Sequence, residues 1–168
     1  MSGGVTRPPP AAPFPGAHVA ELKRILLAED NANDVELTLA ALGQHHLANE
    51  VVVVRDGAEA LDYLHNRGTF LGRPGGQPAL VLLDLKMPKV DGLEVLRHIK
   101  GDANLRTIPV VMLTSSREEQ DLVESYELGV NGYVVKPVDF SEFMNAVRQI
   151  GVFWALVNEP PPSTRRIA

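Results

Sequence analysis

The chain has 168 residues, 45% of them hydrophobic and 22% charged, which fits one soluble globular domain with enough apolar material for a core. A net charge of −5 excludes a nucleic-acid-coating protein, whose footprint is a basic face. Zero cysteines exclude disulfides, thiolate metal sites, iron–sulfur clusters and a Cys nucleophile, and five scattered His make a structural zinc held by His alone a poor option. No apolar run approaches the roughly 18 residues of a membrane helix, and residues 1–16 lack the apolar stretch of a signal peptide. A cytoplasmic protein without membrane contact is expected.

Prolines crowd both ends, at 8–15 and 160–162, where they oppose helices and central strands. The expected organisation is therefore a disordered segment over 1–20, a folded body over 21–158 and a flexible tail over 159–168. Inside the body, short apolar runs at 25–28, 51–54, 80–83, 110–113 and 133–135 predict five strands separated by segments of helical period. Several runs are continuously apolar, which suits parallel strands buried on both faces, so the fold class is a doubly wound α/β sandwich. Asp56/Glu59, Asp91/Glu94, Ser116/Glu119 and Asp139/Glu142 each resemble a capping box opening a helix. Residues 66–78, with four Gly and two Pro, predict a long mobile loop.

Three acids are left without a capping task. Glu29 and Asp30 follow the first strand and Asp84 follows the third, so all three lie at the strand C-terminal edge where open α/β sheets bind ligands. Clustered carboxylates repel one another unless a cation neutralises them, and an all-oxygen set suits Mg²⁺ or Mn²⁺. The competing structural role is strongest for Asp30, which can cap the helix beginning near Asn31. Thr114 ends the fourth strand and Lys136 the fifth, and both reach the same edge. A hydroxyl and an ammonium beside a metal-bound carboxylate form a cradle for a phosphoryl group.

These residues fall in five ordered motifs: Leu26-Leu27-Ala28-Glu29-Asp30-Asn31, Leu83-Asp84-Leu85-Lys86-Met87-Pro88, Asp91-Gly92, Leu113-Thr114-Ser115 and Tyr133-Val134-Val135-Lys136-Pro137. In them the chain resembles the receiver domain of bacterial two-component response regulators, from Lys23 to about Val157. The resemblance implies a flavodoxin-like (βα)5 sandwich with strand order 2-1-3-4-5. It implies Asp84 as the phosphoacceptor taking a phosphoryl group from a phosphohistidine of a sensor kinase. Mg²⁺ would be held by Asp30, Asp84 and the Lys86 backbone carbonyl, with Glu29 acting largely through water. Thr114 and Lys136 would contact the phosphoryl oxygens, and Tyr133 would be the switch residue that turns inward as Thr114 moves. The family also implies a cis peptide at Lys136-Pro137. Lys86 departs from the acidic or amide residue usual two places after the phosphoacceptor, so it is expected to pair with the acids or to shield the acyl phosphate.

No effector module is legible after the fifth helix, so output through protein contact is expected. Phe140, Phe143, Val147, Ile150, Trp154 and Val157 recur every three or four residues and predict a buried stripe on the last helix. Phe153 stands off that stripe, and an aromatic patch at Phe153 and Trp154 suits a homodimer built on the fourth helix, fifth strand and fifth helix. The segments Glu29–Asp34, 53–63 and 126–131 further resemble single-domain response regulators paired with phytochrome-type histidine kinases. Three rival functions compete. A flavodoxin-like nucleotide binder needs a Gly-rich phosphate loop where this chain has Glu29-Asp30. A haloacid-dehalogenase-type phosphatase needs a second Asp where this chain has Lys86. A phosphate-independent receiver-shaped binding module has no use for the intact acids, Thr114 and Lys136, while Lys86 in place of the usual acidic or amide residue keeps it open. His45-His46 reads as a helix-end pair.

Overall fold

The computed structural model describes residues 23–43, 51–137, 139–159 and 161. The predicted segment 1–20, His45-His46 and all of the tail except Glu159 and Pro161 lie outside the described residues. Every predicted apolar run is a strand: β1 (Ile25–Ala28), β2 (Val51–Val54), β3 (Leu80–Leu83), β4 (Val110–Thr114) and β5 (Gly132–Val135). All pairings are parallel and the order is β2-β1-β3-β4-β5. The connecting helices are α1 (Ala32–Gly43), α2 (Gly57–Leu64), α3 (Gly92–Gly101), α4 (Glu119–Glu127) and α5 (Phe140–Val152).

Successive strand residues point to opposite faces, and here both faces are covered. Leu26, Ala28, Val81, Leu83, Val110 and Met112 pack with Ala60, Tyr63, Leu64, Val95, Leu96 and Ile99 of α2 and α3. Ile25, Leu27, Leu80, Leu82, Val111 and Leu113 pack on the other side with Val35, Ala41 and Leu42 of α1 and Phe143 and Val147 of α5. Each such aliphatic side chain, fully buried, contributes about 1.5–3 kcal/mol. Two dry faces explain why β1 and β3 are apolar at every position.

Three of the four predicted caps form. Asp56, Asp91 and Asp139 accept hydrogen bonds from the amides of Glu59, Glu94 and Glu142 at 2.8, 2.9 and 3.0 Å. Ser116 does not cap, because its hydroxyl is engaged by Asp121 Oδ2 at 2.6 Å and α4 begins three residues later at Glu119. That helix is lightly seated: only Ser125 is fully buried, while Leu122, Val123 and Tyr126 face solvent.

Segment 66–78 is a long loop, as expected, and it is tied to the end of α2. The Arg73 guanidinium lies 3.9 Å from the Tyr63 ring centre and donates to the Tyr63 carbonyl at 2.8 Å, while Gln77 donates to the Leu64 carbonyl at 2.9 Å. A 3₁₀ turn, Gly68–Phe70, interrupts it.

The predicted stripe of α5 holds in its middle and fails at its ends. Phe143 and Val147 are buried and Ile150 and Trp154 half-buried, but Phe140 and Val157 are exposed. The helix continues into a π-helical turn, Phe153–Val157, whose wider turn keeps a four-residue step, so Gly151 and Ala155 follow Phe143 and Val147 against the core.

Candidate functional site

Parallel strands bring their C-terminal ends to one edge, and the residues that follow β1, β3, β4 and β5 converge there. Glu29 continues β1, and its amide donates to the Val54 carbonyl at 3.0 Å. Asp84 continues β3, and its amide donates to the Ala28 carbonyl at 3.0 Å, which locks it beside Glu29. The Lys136 amide donates to the Thr114 carbonyl at 2.7 Å, extending the β4–β5 ladder to the lysine. Backbone pairing therefore positions every one of these side chains.

Glu29 and Asp84 are buried and Asp30 is exposed. One carboxylate oxygen from each lies within 4.8 Å of the other two. The Lys136 ammonium crosses from the far side of the sheet edge to Glu29 Oε2 at 2.6 Å, Asp34 Oδ2 at 2.7 Å and Asp84 Oδ2 at 3.8 Å. Burial pushes the Glu29 carboxyl up to about 7, against the hydrogen bond from Lys136, and the Asp84 charge adds to the rise. Burial also opposes the charge on Lys136, but hydrogen bonds to Asp34 and Glu29 outweigh it and raise its pKa, so the ammonium persists. One ammonium faces three carboxylates, and Asp30 stands beside two of them, a surplus of acids that a hard divalent cation matches. The all-oxygen donor set of Glu29, Asp30 and Asp84 fits such an ion.

Asp30 does not cap α1. That task falls to Asn31, whose Oδ1 accepts from the amides of Asn33 and Asp34 at 3.0 and 3.1 Å, while Glu29 Oε1 accepts from the Asn31 amide at 3.1 Å. Asp84 Oδ1 accepts from the Leu85 amide at 2.8 Å, which leaves Oδ2 facing Lys136. Thr114 is buried, and its Oγ1 accepts from the Ser116 amide at 3.2 Å. The Tyr133 hydroxyl donates to the Ser116 carbonyl at 3.2 Å. Ser116 thus joins Thr114 to Tyr133 through its two backbone groups, with the phenol half-buried and its pKa raised by that burial.

Two expectations are corrected at this edge. Lys86 does not pair with the acids: its ammonium is exposed and turned toward Glu118, 4.0 Å away, because Lys136 already fills the interior position. The Lys136–Pro137 peptide is trans, and the lysine is aimed by Glu29 and Asp34. Asp34 itself is the participant that sequence reading missed; in the first turn of α1 it looks like an ordinary helix-start acid. Of the predicted interface pair, Phe153 is exposed, whereas Trp154 packs partly into the core and meets Phe153 edge-on at 4.9 Å.

A five-stranded 2-1-3-4-5 sheet with acids, Thr114 and Lys136 on its C-terminal edge defines a flavodoxin-like domain with the residue set of a receiver. Residues 25–148 match the response regulator receiver domain, and the chain belongs to that family. It is 41% identical over 132 residues to the response regulator Rcp1 of Synechocystis sp., covering 79% of this chain and 88% of that protein. The crystal structure of Mn²⁺-bound Rcp1 superposes with a TM-score of 0.77 at 39% identity over 83% of this chain and 99% of that one. The phosphorylated cyanobacterial phytochrome response regulator RcpA gives a TM-score of 0.78 at 43% identity, with the same coverage. The bacteriophytochrome response regulator AtBRR is 69% identical over 83% of this chain and 99% of its own, with a TM-score of 0.67. Among the described residues no helix is long and apolar enough to cross a membrane.

Proposed function

We propose that the protein accepts a phosphoryl group on Asp84 from a phosphohistidine of a phytochrome-type sensor kinase. The observation that carries this reading is the Asp84 carboxylate itself, buried at the sheet edge with Oδ1 held by the Leu85 amide and Oδ2 toward Lys136. Oδ2 forms the new O–P bond as the P–N bond breaks, the electron pair leaves with the imidazole, which takes up a proton, and an acyl phosphate results. Glu29, Asp30, Asp84 and the Lys86 backbone carbonyl would hold Mg²⁺ or Mn²⁺, which when bound neutralises the acids and the phosphoryl oxygens. Lys136 and Thr114 donate to those oxygens. Lys136 leaves Asp34 as it does so, and Thr114 draws on Ser116 and hence on Tyr133. The kinase type is supported by the names of the relatives RcpA and AtBRR.

The output is contact with protein, including a second copy through the α4–β5–α5 face. Exposed Leu122, Val123, Tyr126 and Phe153 support that surface. Incubation with acetyl phosphate and Mg²⁺ should add one phosphoryl group to the intact mass of the parent and none to Asp84→Asn. Labelling that survives in Asp84→Asn, or fails in the parent while a known receiver is labelled, overturns the assignment.

A further inference from the structure

At the opposite pole of the molecule three metal-ligating side chains meet that the acid site does not use. Strands run parallel, so each helix returns from the C-terminal edge of the sheet to its N-terminal edge. The C-terminal ends of α2 and α3 therefore lie together at the edge remote from Asp84. His65 caps the end of α2, its amide donating to the carbonyls of Leu61 and Tyr63. His98 lies in the last turn of α3, and Asp102, four residues on, caps that helix. The two imidazoles meet edge to face with Nε2 atoms 2.7 Å apart, and one ring nitrogen of each lies within 4.8 Å of a carboxylate oxygen of Asp102.

We propose that His65, His98 and Asp102 form a binding site for a divalent transition-metal ion, with Zn²⁺ as the probe. The donor set is two imidazoles and one carboxylate, the N/O combination that Zn²⁺ takes with three protein ligands and an open fourth position. Ligands on a tetrahedral ion at about 2.0–2.1 Å stand about 3.3 Å apart, so the ion replaces the hydrogen bond between the two Nε2 atoms, its proton passes to the other nitrogen of that ring or to solvent, the nitrogens separate by about 0.6 Å and the carboxylate closes in. The side chains have room for this, because His98 is exposed and His65 and Asp102 are only half-buried.

Asp102 Oδ1 accepts from the Asn104 amide at 2.7 Å, which orients the carboxylate and leaves Oδ2 for the ion. Lys100, the nearest cation in sequence, is bonded to the carbonyls of Arg106 and Ile108 and to Asn131 Oδ1, so it does not neutralise Asp102. Two helix C-termini add negative potential at the same point. His65 and His98 are 33 residues apart, so only the fold reveals that two of the scattered histidines are partners. The site is independent of phosphoryl transfer.

The test is Zn²⁺ titration of the full chain in saturating Mg²⁺, which occupies the all-oxygen cluster, with Asp84→Asn as a parallel sample. One Zn²⁺ per chain should bind to both, and the ring resonances of His65 and His98 should shift in ¹H–¹⁵N spectra. His98→Ala and Asp102→Asn should each weaken binding at least about tenfold, the lower bound for losing even an outer hydrogen-bonding partner of a metal ligand. No Zn²⁺ uptake, unchanged affinity in His98→Ala, or shifts confined to other histidines would overturn the proposal. The spectra of the parent decide it even if a variant does not fold.

Discussion

Asp34 and Lys136 are hydrogen-bonded at 2.7 Å, while the same ammonium stands 3.8 Å from Asp84. Under the proposed function, the hydrogen bonds to Asp34 and to Glu29, at 2.6 Å, draw the lysine away from a phosphoryl group on Asp84. Asp34→Asn removes one charge from that hold and one repulsion from an incoming phosphoryl donor. Labelling by acetyl phosphate should speed up by about fivefold, equivalent to about 1 kcal/mol of one charge-assisted hydrogen bond. A rate at or below that of the parent contradicts this account of the lysine.

Lys136→Met leaves the buried carboxylates without their ammonium. Removing one partner of a fully buried ion pair costs about 3–5 kcal/mol. Glu29 is already pushed up to about 7 and relieves part of the charge by binding a proton, so the expected loss in metal-free buffer is about 2 kcal/mol. Mg²⁺ should raise the melting temperature of the variant more than that of the parent. Equal increments in the two proteins would show that the lysine and a cation do not neutralise the same charges.

Gly92 opens α3 against the loop that carries Asp84. A Cβ there overlaps the Asp84 carbonyl oxygen and comes within 2.7 Å of Leu85 Cα, both backbone and unable to swing away. Gly92→Ala should cost about 2 kcal/mol in urea unfolding and slow the labelling of Asp84. Parent-like values in both measurements would mean that the loop yields freely.

Asp56 supplies a pH dependence that can be isolated. The Glu59 amide that it accepts, with help from Lys89 at 3.2 Å, lowers its pKa below the ordinary carboxylate value. A depressed folded pKa gives stability that is full above the unfolded value, about 3.9, and is lost as pH falls through the folded one. Asp56→Asn keeps a capping oxygen but cannot titrate. The stability advantage of the parent over this variant should shrink as pH drops from about 6 to about 3. A constant difference across that range would mean that Asp56 does not carry the acid sensitivity.

The strands were legible because both sheet faces are dry, so β1 and β3 need no polar alternation and stand out as apolar runs between helical segments. The acids, Thr114 and Lys136 were legible because each ends a strand, and parallel strands end together. What stayed hidden depends on partners distant in sequence. Ser116 reads as a cap until Asp121 takes its hydroxyl, and Asp34 reads as a helix-start acid until Lys136 arrives from β5. Lys86 sits two residues from Asp84 yet turns outward, since sequence proximity does not say which lysine occupies the interior. On α5, periodicity alone cannot reveal where the sheet beneath the helix stops, so Phe140 and Val157 are exposed despite lying on the stripe.

The seating of α4 sets what it costs to rearrange this part of the surface. Its outward Leu122, Val123 and Tyr126 contribute little to the core, and its ties to the rest of the domain include polar ones, Ser116 to Asp121 at 2.6 Å and Arg97 of α3 to Glu124 at 3.2 Å. Rearranging such a helix exchanges mainly surface hydrogen bonds, so its amides are expected toward the low-energy end of local opening, below those of β1 and β3. On the proposed function, phosphorylation at the sheet edge would need to move only this surface layer, with the rest of the domain serving as a rigid reference.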